Sequence, residues 1–198
     1  MSVATHSRPA MPRWWILAAG IGILLIQMAV PGYMISDRAA LLKNGREITI
    51  KTVPIDPRSL FRGDYVILRY DISRIDLAGF DAPEDIREGE RLNAVITPAG
   101  EGEWKAVSLS RDWPQAVANS DAVLTGHVAS VYGASGSRTA RMRYGIESYF
   151  VPEGEGKKLE DMVRERALSV IVAVGEDGRA AIKGLVMDGQ RIYDEPLF

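Results

Sequence analysis

The sequence predicts a mainly β protein: an N-terminal transmembrane helix, then an antiparallel β-rich extracytoplasmic domain with one short helix. Three observations predict it. The run from Trp14 to Ser36 (WWILAAGIGILLIQMAVPGYMIS) carries no charge. Most of the remaining chain alternates apolar and polar residues or is rich in β-branched ones, as strands require. Gly- and Pro-rich connections separate those runs at hairpin spacing.

The apolar run comes first. About 20 mainly apolar residues, at 1.5 Å rise each, cross a hydrocarbon core of roughly 30 Å. The run meets that length even with Gln27 inside it. Trp14 and Trp15 stand at one end and Tyr33 near the other, where amphipathic rings suit the headgroup zone. Arg8 and Arg13 precede it, while Asp37, Arg38 and Lys43 follow with mixed sign. The positive-inside rule then puts the N-terminus in the cytoplasm and the C-terminal body outside. A cleaved signal peptide needs small residues at an A-x-A-like site. Ala29 follows Gln27 and Ala39 follows Asp37, and neither fits. Pro31-Gly32 is expected to kink or end the span. Ser36 to Lys43 is expected to restart a short helix ending near Asn44-Gly45. The expected organisation is a cytoplasmic tail over 1–13, the span over 14–35, a juxtamembrane segment over 36–44 and the β-rich domain over 45–198.

Charge and composition exclude several functions. The chain has 198 residues, 24 Lys+Arg against 26 Asp+Glu, and no cysteine. Zero cysteine removes disulfide frameworks, thiol catalysis and cysteine metal sites. His6 and His127 are the two histidines, too few for a histidine metal centre. No metal or cofactor is expected. Residues 1–35 hold two bases and no acid, so residues 36–198 carry a net charge of -4. A mildly acidic body lacks the footprint of a nucleic-acid binder. On that average it gains nothing by lying on an anionic membrane face.

The strands are read in order. Residues 47–53 (EITIKTV) alternate, and 65–72 (YVILRYDI) are β-branched and aromatic. Residues 91–97 and 103–110 flank the loop PAGEG, and 122–132 and 138–144 flank GASGS. Residues 168–174 and 179–186 enclose Gly175-Glu176-Asp177-Gly178, the clearest hairpin signal. Residues 156–166 place Leu159, Met162 and Val163 at helical spacing, which predicts the one short helix. Residues 79–89 read as a polar loop.

The densest pattern is VPIDPRSLFRGDYVILRY, over 53–70. Asp56 before Pro57 suits an Asx-type turn, and Gly63 gives freedom before the strand. Tyr65, Ile67 and Arg69 are expected on one strand face, with Val66, Leu68 and Tyr70 on the other. Gly63-Asp64-Tyr65-Val66-Ile67-Leu68-Arg69-Tyr70 matches the signature of the GDYXXLXY protein family without a miss. The lead-in Pro57-Arg58-Ser59-Leu60-Phe61-Arg62 and the later stretch 144–156 (YGIESYFVPEGEG) also resemble that family. The resemblance spans most of the chain. It implies a small membrane-anchored bacterial protein associated with multispanning membrane proteins, and no catalytic residues carry over from it.

The motif residues have physical readings of their own. Asp64 most simply accepts backbone N–H groups or pairs with Arg58 or Arg62. Tyr65 and Tyr70 read as packing residues whose hydroxyls find a rim partner. Exposed beside arginine, they would instead form a protein-interaction patch. In the second motif, Tyr144, Gly145, Glu147, Tyr149 and Phe150 stand together, and Glu147 is a candidate partner for Arg58 or Arg62.

An enzyme reading competes. An anchor followed by SLFRGDYV is similar in outline to the signal peptidases, with Ser59 as nucleophile. The spacing departs from theirs, since Ser59 lies only four residues before Gly63. A Ser–Lys mechanism needs a desolvated lysine, and Lys51, Lys105 and Lys183 all sit at polar strand positions. Glu153 to Lys158 lacks the first glycine and the Ser/Thr of a phosphate loop. Glu84, Asp85, Glu88 and Glu90 read as a solvated loop face, and His127 as an isolated strand histidine. The expectation is a non-enzymatic anchored module that binds the bilayer through its span and a multispanning membrane protein through its domain. The alternative is an anchored hydrolase centred on Ser59 or Asp64.

Overall fold

A computed structural model describes residues 13–53, 65–133, 137–150, 168–187 and 189–195. The chain forms two compact units, one ending at Arg38 and the other beginning at Ala39.

The first unit is helical. Helix α1 (Arg13–Asn44) contains Leu17–Asn44, a stretch long and apolar enough to cross a membrane, whose most apolar 18 residues have a mean hydropathy of 1.7 and are not buried. Leu17, Ile21, Leu24, Leu25, Ile26 and Met28 are all exposed, a contiguous apolar surface of the kind that marks an interaction site. The rings of Trp14 and Trp15 stand 4.9 Å apart at its start.

Of the kink or end expected at Pro31-Gly32, the helix shows no end there. Pro31 lies inside α1, and the helix that was to restart at Ser36 is the last turns of the same helix. Proline removes one N–H and crowds one carbonyl, a local cost. Strong helix formers flank it, Met28 and Ala29 before and Arg38 to Lys43 after, and they carry the helix through. The end falls where Asn44-Gly45 predicts: the Gly45 N–H donates to the Leu41 carbonyl at 2.9 Å. Leu41 and Leu42 are buried with Ala173 and Ala181.

The second unit is built from strands β1 (Arg46–Lys51), β2 (Tyr65–Ile67), β3 (Arg74–Asp76), β4 (Arg91–Pro98), β5 (Trp104–Ser110), β6 (Ala122–Tyr132), β7 (Thr139–Arg143), β8 (Ser148–Phe150), β9 (Leu168–Val174), β10 (Ala180–Met187) and β11 (Gln190–Asp194). Five strands form one sheet in the order β3-β7-β6-β4-β5, four form a second in the order β1-β9-β10-β11, and β2 pairs with β8. Every pairing within these sheets is antiparallel, so the fold class is the one expected. The hairpins at PAGEG and at Gly175–Gly178 close as read: the Ala99 N–H donates to the Glu103 carbonyl and the Gly175 N–H to the Arg179 carbonyl.

The expected strand over 65–72 is shorter. It leaves the ladder after Ile67, and Asp71–Ser73 forms a 3-10 turn before β3. The turn, closed by the Ser73 N–H on the Tyr70 carbonyl, sinks Ile72 into the core. Burying that side chain outweighs continued alternation. The short helix expected over 156–166 lies outside the described residues. β3, β8 and β11 were not anticipated.

One core joins all three sheets. Ile48, Ile50, Val170, Val172 and Ile182 come from the four-stranded sheet, Leu92, Ile96, Leu124, Val128 and Met142 from the five-stranded one, and Leu68, Tyr70 and Tyr149 from the motif region. Each fully buried Ile, Leu or Val contributes about 1.5–3 kcal/mol relative to exposure. The Trp104 indole N–H, donating to the Thr49 carbonyl at 2.8 Å, ties β5 to β1.

Candidate functional site: the junction of the two motifs

The two motifs meet. In β2 and β8, Tyr65 pairs with Phe150, Val66 with Tyr149 and Ile67 with Ser148. Beyond the ladder the Leu68 N–H donates to the Glu147 carbonyl at 2.8 Å. Leu68 and Tyr70 are buried while Arg69 is exposed, the alternation read from the sequence.

The second motif starts as a tight turn. Gly145 takes φ +82°, a left-handed conformation that disfavours any side chain. The Glu147 carboxylate closes the turn, accepting the Tyr144 N–H at 2.6 Å and the Gly145 N–H at 2.9 Å. The expected pairing of Glu147 with Arg58 or Arg62 lies outside the described residues. Both carboxylate oxygens hold backbone of their own turn.

Two buried phenols then lock this turn to the first motif. The Tyr70 hydroxyl donates to the Ile146 carbonyl at 2.6 Å, and the Tyr144 hydroxyl to the Ile72 carbonyl at 2.9 Å. Burial, and secondarily the nearby Glu147 charge, push both phenols above the usual tyrosine range. They remain protonated donors at any ordinary pH. Tyr149 is buried as well, its ring edge-on to Tyr193 at 5.5 Å, and its hydroxyl has no partner among the described residues.

Gly126, a position sequence reasoning missed, completes the junction. A Cβ there would lie 2.7 Å from the Arg143 carbonyl oxygen and 2.8 Å from Tyr144 Cδ1. Its absence lets the Tyr144 ring lie against the β6 backbone. A lone glycine inside a strand pattern is the signal that could have found it.

The other site residues divide plainly. Asp56, Arg58, Ser59, Arg62, Gly63 and Asp64 lie outside the described residues. Tyr65 and Phe150 are placed through their backbone pairing. Leu68, Tyr70, Tyr144 and Tyr149 face inward and build the domain. The lysines weighed for a Ser–Lys mechanism are at the surface: Lys51 pairs with Glu103 at 3.6 Å, Lys183 with Glu47 at 2.7 Å, and Lys105 is exposed. The acidic loop is partly neutralised, since Arg111 pairs with Asp85 and Glu90 and holds both carboxyls below their usual range. Among the described residues no group of three His, Asp or Glu side chains is placed to hold a metal.

Fold and junction together define a class: an antiparallel β domain behind an apolar helix that fits a membrane anchor, with two motifs locked into one unit. The family model for the GDYXXLXY protein matches residues 27–185, and the chain belongs to that family. No curated protein and no solved structure gives a match.

Proposed function

We propose that the chain is a single-pass protein of the bacterial inner membrane, with its N-terminus in the cytoplasm. Its extracytoplasmic β domain serves as an interaction or assembly module for an integral membrane partner. The observation that carries this reading is the apolar stretch Leu17–Asn44, its large apolar side chains exposed from Leu17 to Ile35, in one helix that ends among the first residues of a compact β domain. Arg8 and Arg13 ahead of the stretch support the orientation. Confinement to one plane raises the effective concentration of domain and partner without any new contact.

The test is photo-crosslinking in native membranes from single positions on the domain surface, with identification of the captured protein. Reproducible capture of one integral membrane protein is the expected result. Capture of none under gentle conditions counts against the reading.

A further inference from the structure

The net charge of -4 conceals a sorted surface. On β7, Arg141 and Arg143 alternate with the buried Met142 and so share the outer face of the five-stranded sheet. The register sets His127 opposite Arg143 and Arg91 opposite His127, forming one row across β4, β6 and β7. Arg74 stands opposite Arg141, two residues along, forming a second row. All five side chains are exposed. None of the four arginine side chains has an ion pair or hydrogen bond among the described residues, unlike Arg46, Arg111, Arg138, Arg179 and Arg191. The side chains of Arg38, Arg69 and Arg87 also stand without one, but they do not share a sheet face with these four.

This arrangement costs stability by itself. Like charges directly opposite on a sheet repel, and Arg74 and Arg141 stand so. Asp76, opposite Thr139 at the rim, is an acid on this face whose Oδ1 already accepts the Ala78 N–H. The β9–β10 turn sets Asp177 against Thr125, two residues before His127. Tyr132, opposite Thr139 and 40% exposed, adds an amphipathic ring at the same edge. With strands about 4.8 Å apart, the cationic field spans roughly 14 Å across four strands.

We propose that this face docks on a bilayer surface of anionic phospholipid headgroups. Guanidinium forks match phosphate oxygens in geometry and charge. An exposed tyrosine suits the interfacial zone. The proposal rests on the anchoring half of the reading above: a chain tethered by α1 keeps its domain beside lipid headgroups at high local concentration. An acidic polypeptide is the competing occupant. The tether favours the lipid.

The chain contains no cysteine, so one introduced thiol is a unique reporter. Ser130→Cys, opposite Arg141 in the register, carries a fluorophore, and the full chain is reconstituted in vesicles with a headgroup-level quencher lipid. Phosphatidylcholine vesicles are compared with mixtures containing phosphatidylglycerol. Quenching at 130 is expected to rise with phosphatidylglycerol and to fall as salt is raised. Each arginine removed should weaken the docked state about fivefold, so Arg141→Gln with Arg143→Gln should weaken it about 25-fold. These exposed side chains can be changed without touching the core, and an unchanged circular dichroism spectrum checks that. A reporter at Glu101→Cys, in the β4–β5 turn at the opposite end of β4 from Arg91, should not follow the Arg141/Arg143 change.

Three outcomes of the vesicle measurements overturn the proposal. They are quenching independent of phosphatidylglycerol, lipid-dependent quenching that survives the double substitution, and specific competition by inorganic phosphate at matched ionic strength, which would assign a free-anion site. Binding of polyglutamate without any lipid response would assign the face to an acidic polypeptide instead, and also overturns it. The vesicles hold no partner protein, so failure here leaves the partner reading intact, and failed crosslinking leaves this result intact.

Discussion

The Tyr70 hydroxyl donates a 2.6 Å hydrogen bond to the Ile146 carbonyl, joining the two family motifs across 76 residues of sequence. Both groups are buried, so neither has water as a substitute. Tyr70→Phe keeps the packing and strands the Ile146 carbonyl. The expected loss is about 1–3 kcal/mol in denaturant unfolding, with an unchanged m-value. A neutral substitution would remove this bond from the account.

Glu147 holds the turn of the second motif through two backbone N–H groups. Glu147→Gln leaves one acceptor oxygen and no charge, and should cost about 1.5–3 kcal/mol. Because the turn presents the Ile146 carbonyl to Tyr70, the Tyr70→Phe and Glu147→Gln losses should be less than additive. A double-mutant cycle reads that coupling.

Gly126→Ala should destabilise the domain by about 1–3 kcal/mol through overpacking. The new methyl group would meet the Arg143 carbonyl and the Tyr144 ring, and only the ring can yield. Tyr144→Leu itself loses the buried bond to Ile72, so in a double-mutant cycle the Gly126→Ala and Tyr144→Leu losses should be less than additive. Full additivity would mean that the backbone clash with Arg143 dominates.

Alkaline pH should unfold the domain in a defined window. Tyrosines of the unfolded chain ionise near pH 10, while burial holds the Tyr70 and Tyr144 phenols protonated above that. Above about pH 10 the unfolded state therefore binds fewer protons, and unfolding free energy falls as pH rises. Below about pH 10 this contribution is fully present. The phenolate absorbance of these two residues should appear together with loss of the strand signal in circular dichroism. Ionisation near pH 10 in a still-folded domain would contradict their burial.

Much of this fold is legible in the sequence because its longer strands follow simple rules. The alternation over 47–53, the β-branched runs over 91–97 and 168–174, and the Gly175–Gly178 turn each state their own structure. What stayed hidden depends on partners distant in sequence. β8 is three residues long and exists through its pairing with β2, and Ile72 turns inward because a core lies there to receive it. Pro31 does not end the helix because strong formers stand on both sides of it. In the candidate site, the burial of Leu68 and Tyr70 follows from period two, but the Tyr70–Ile146 bond requires the fold. The cationic rows were invisible to a net charge, since register alone gathers Arg74, Arg91, Arg141 and Arg143 from three strands and more than sixty residues of chain.

Anchorage is the central claim, and one measurement reaches it directly. Membranes from cells making the chain with a single Glu176→Cys thiol are washed with alkaline carbonate and labelled, before and after lysis, with a membrane-impermeant thiol reagent. The account predicts a full-length chain retained in the membrane, labelled from the outer side without lysis of the inner membrane. A shortened chain released by the wash, or a thiol reached only after lysis, would contradict it.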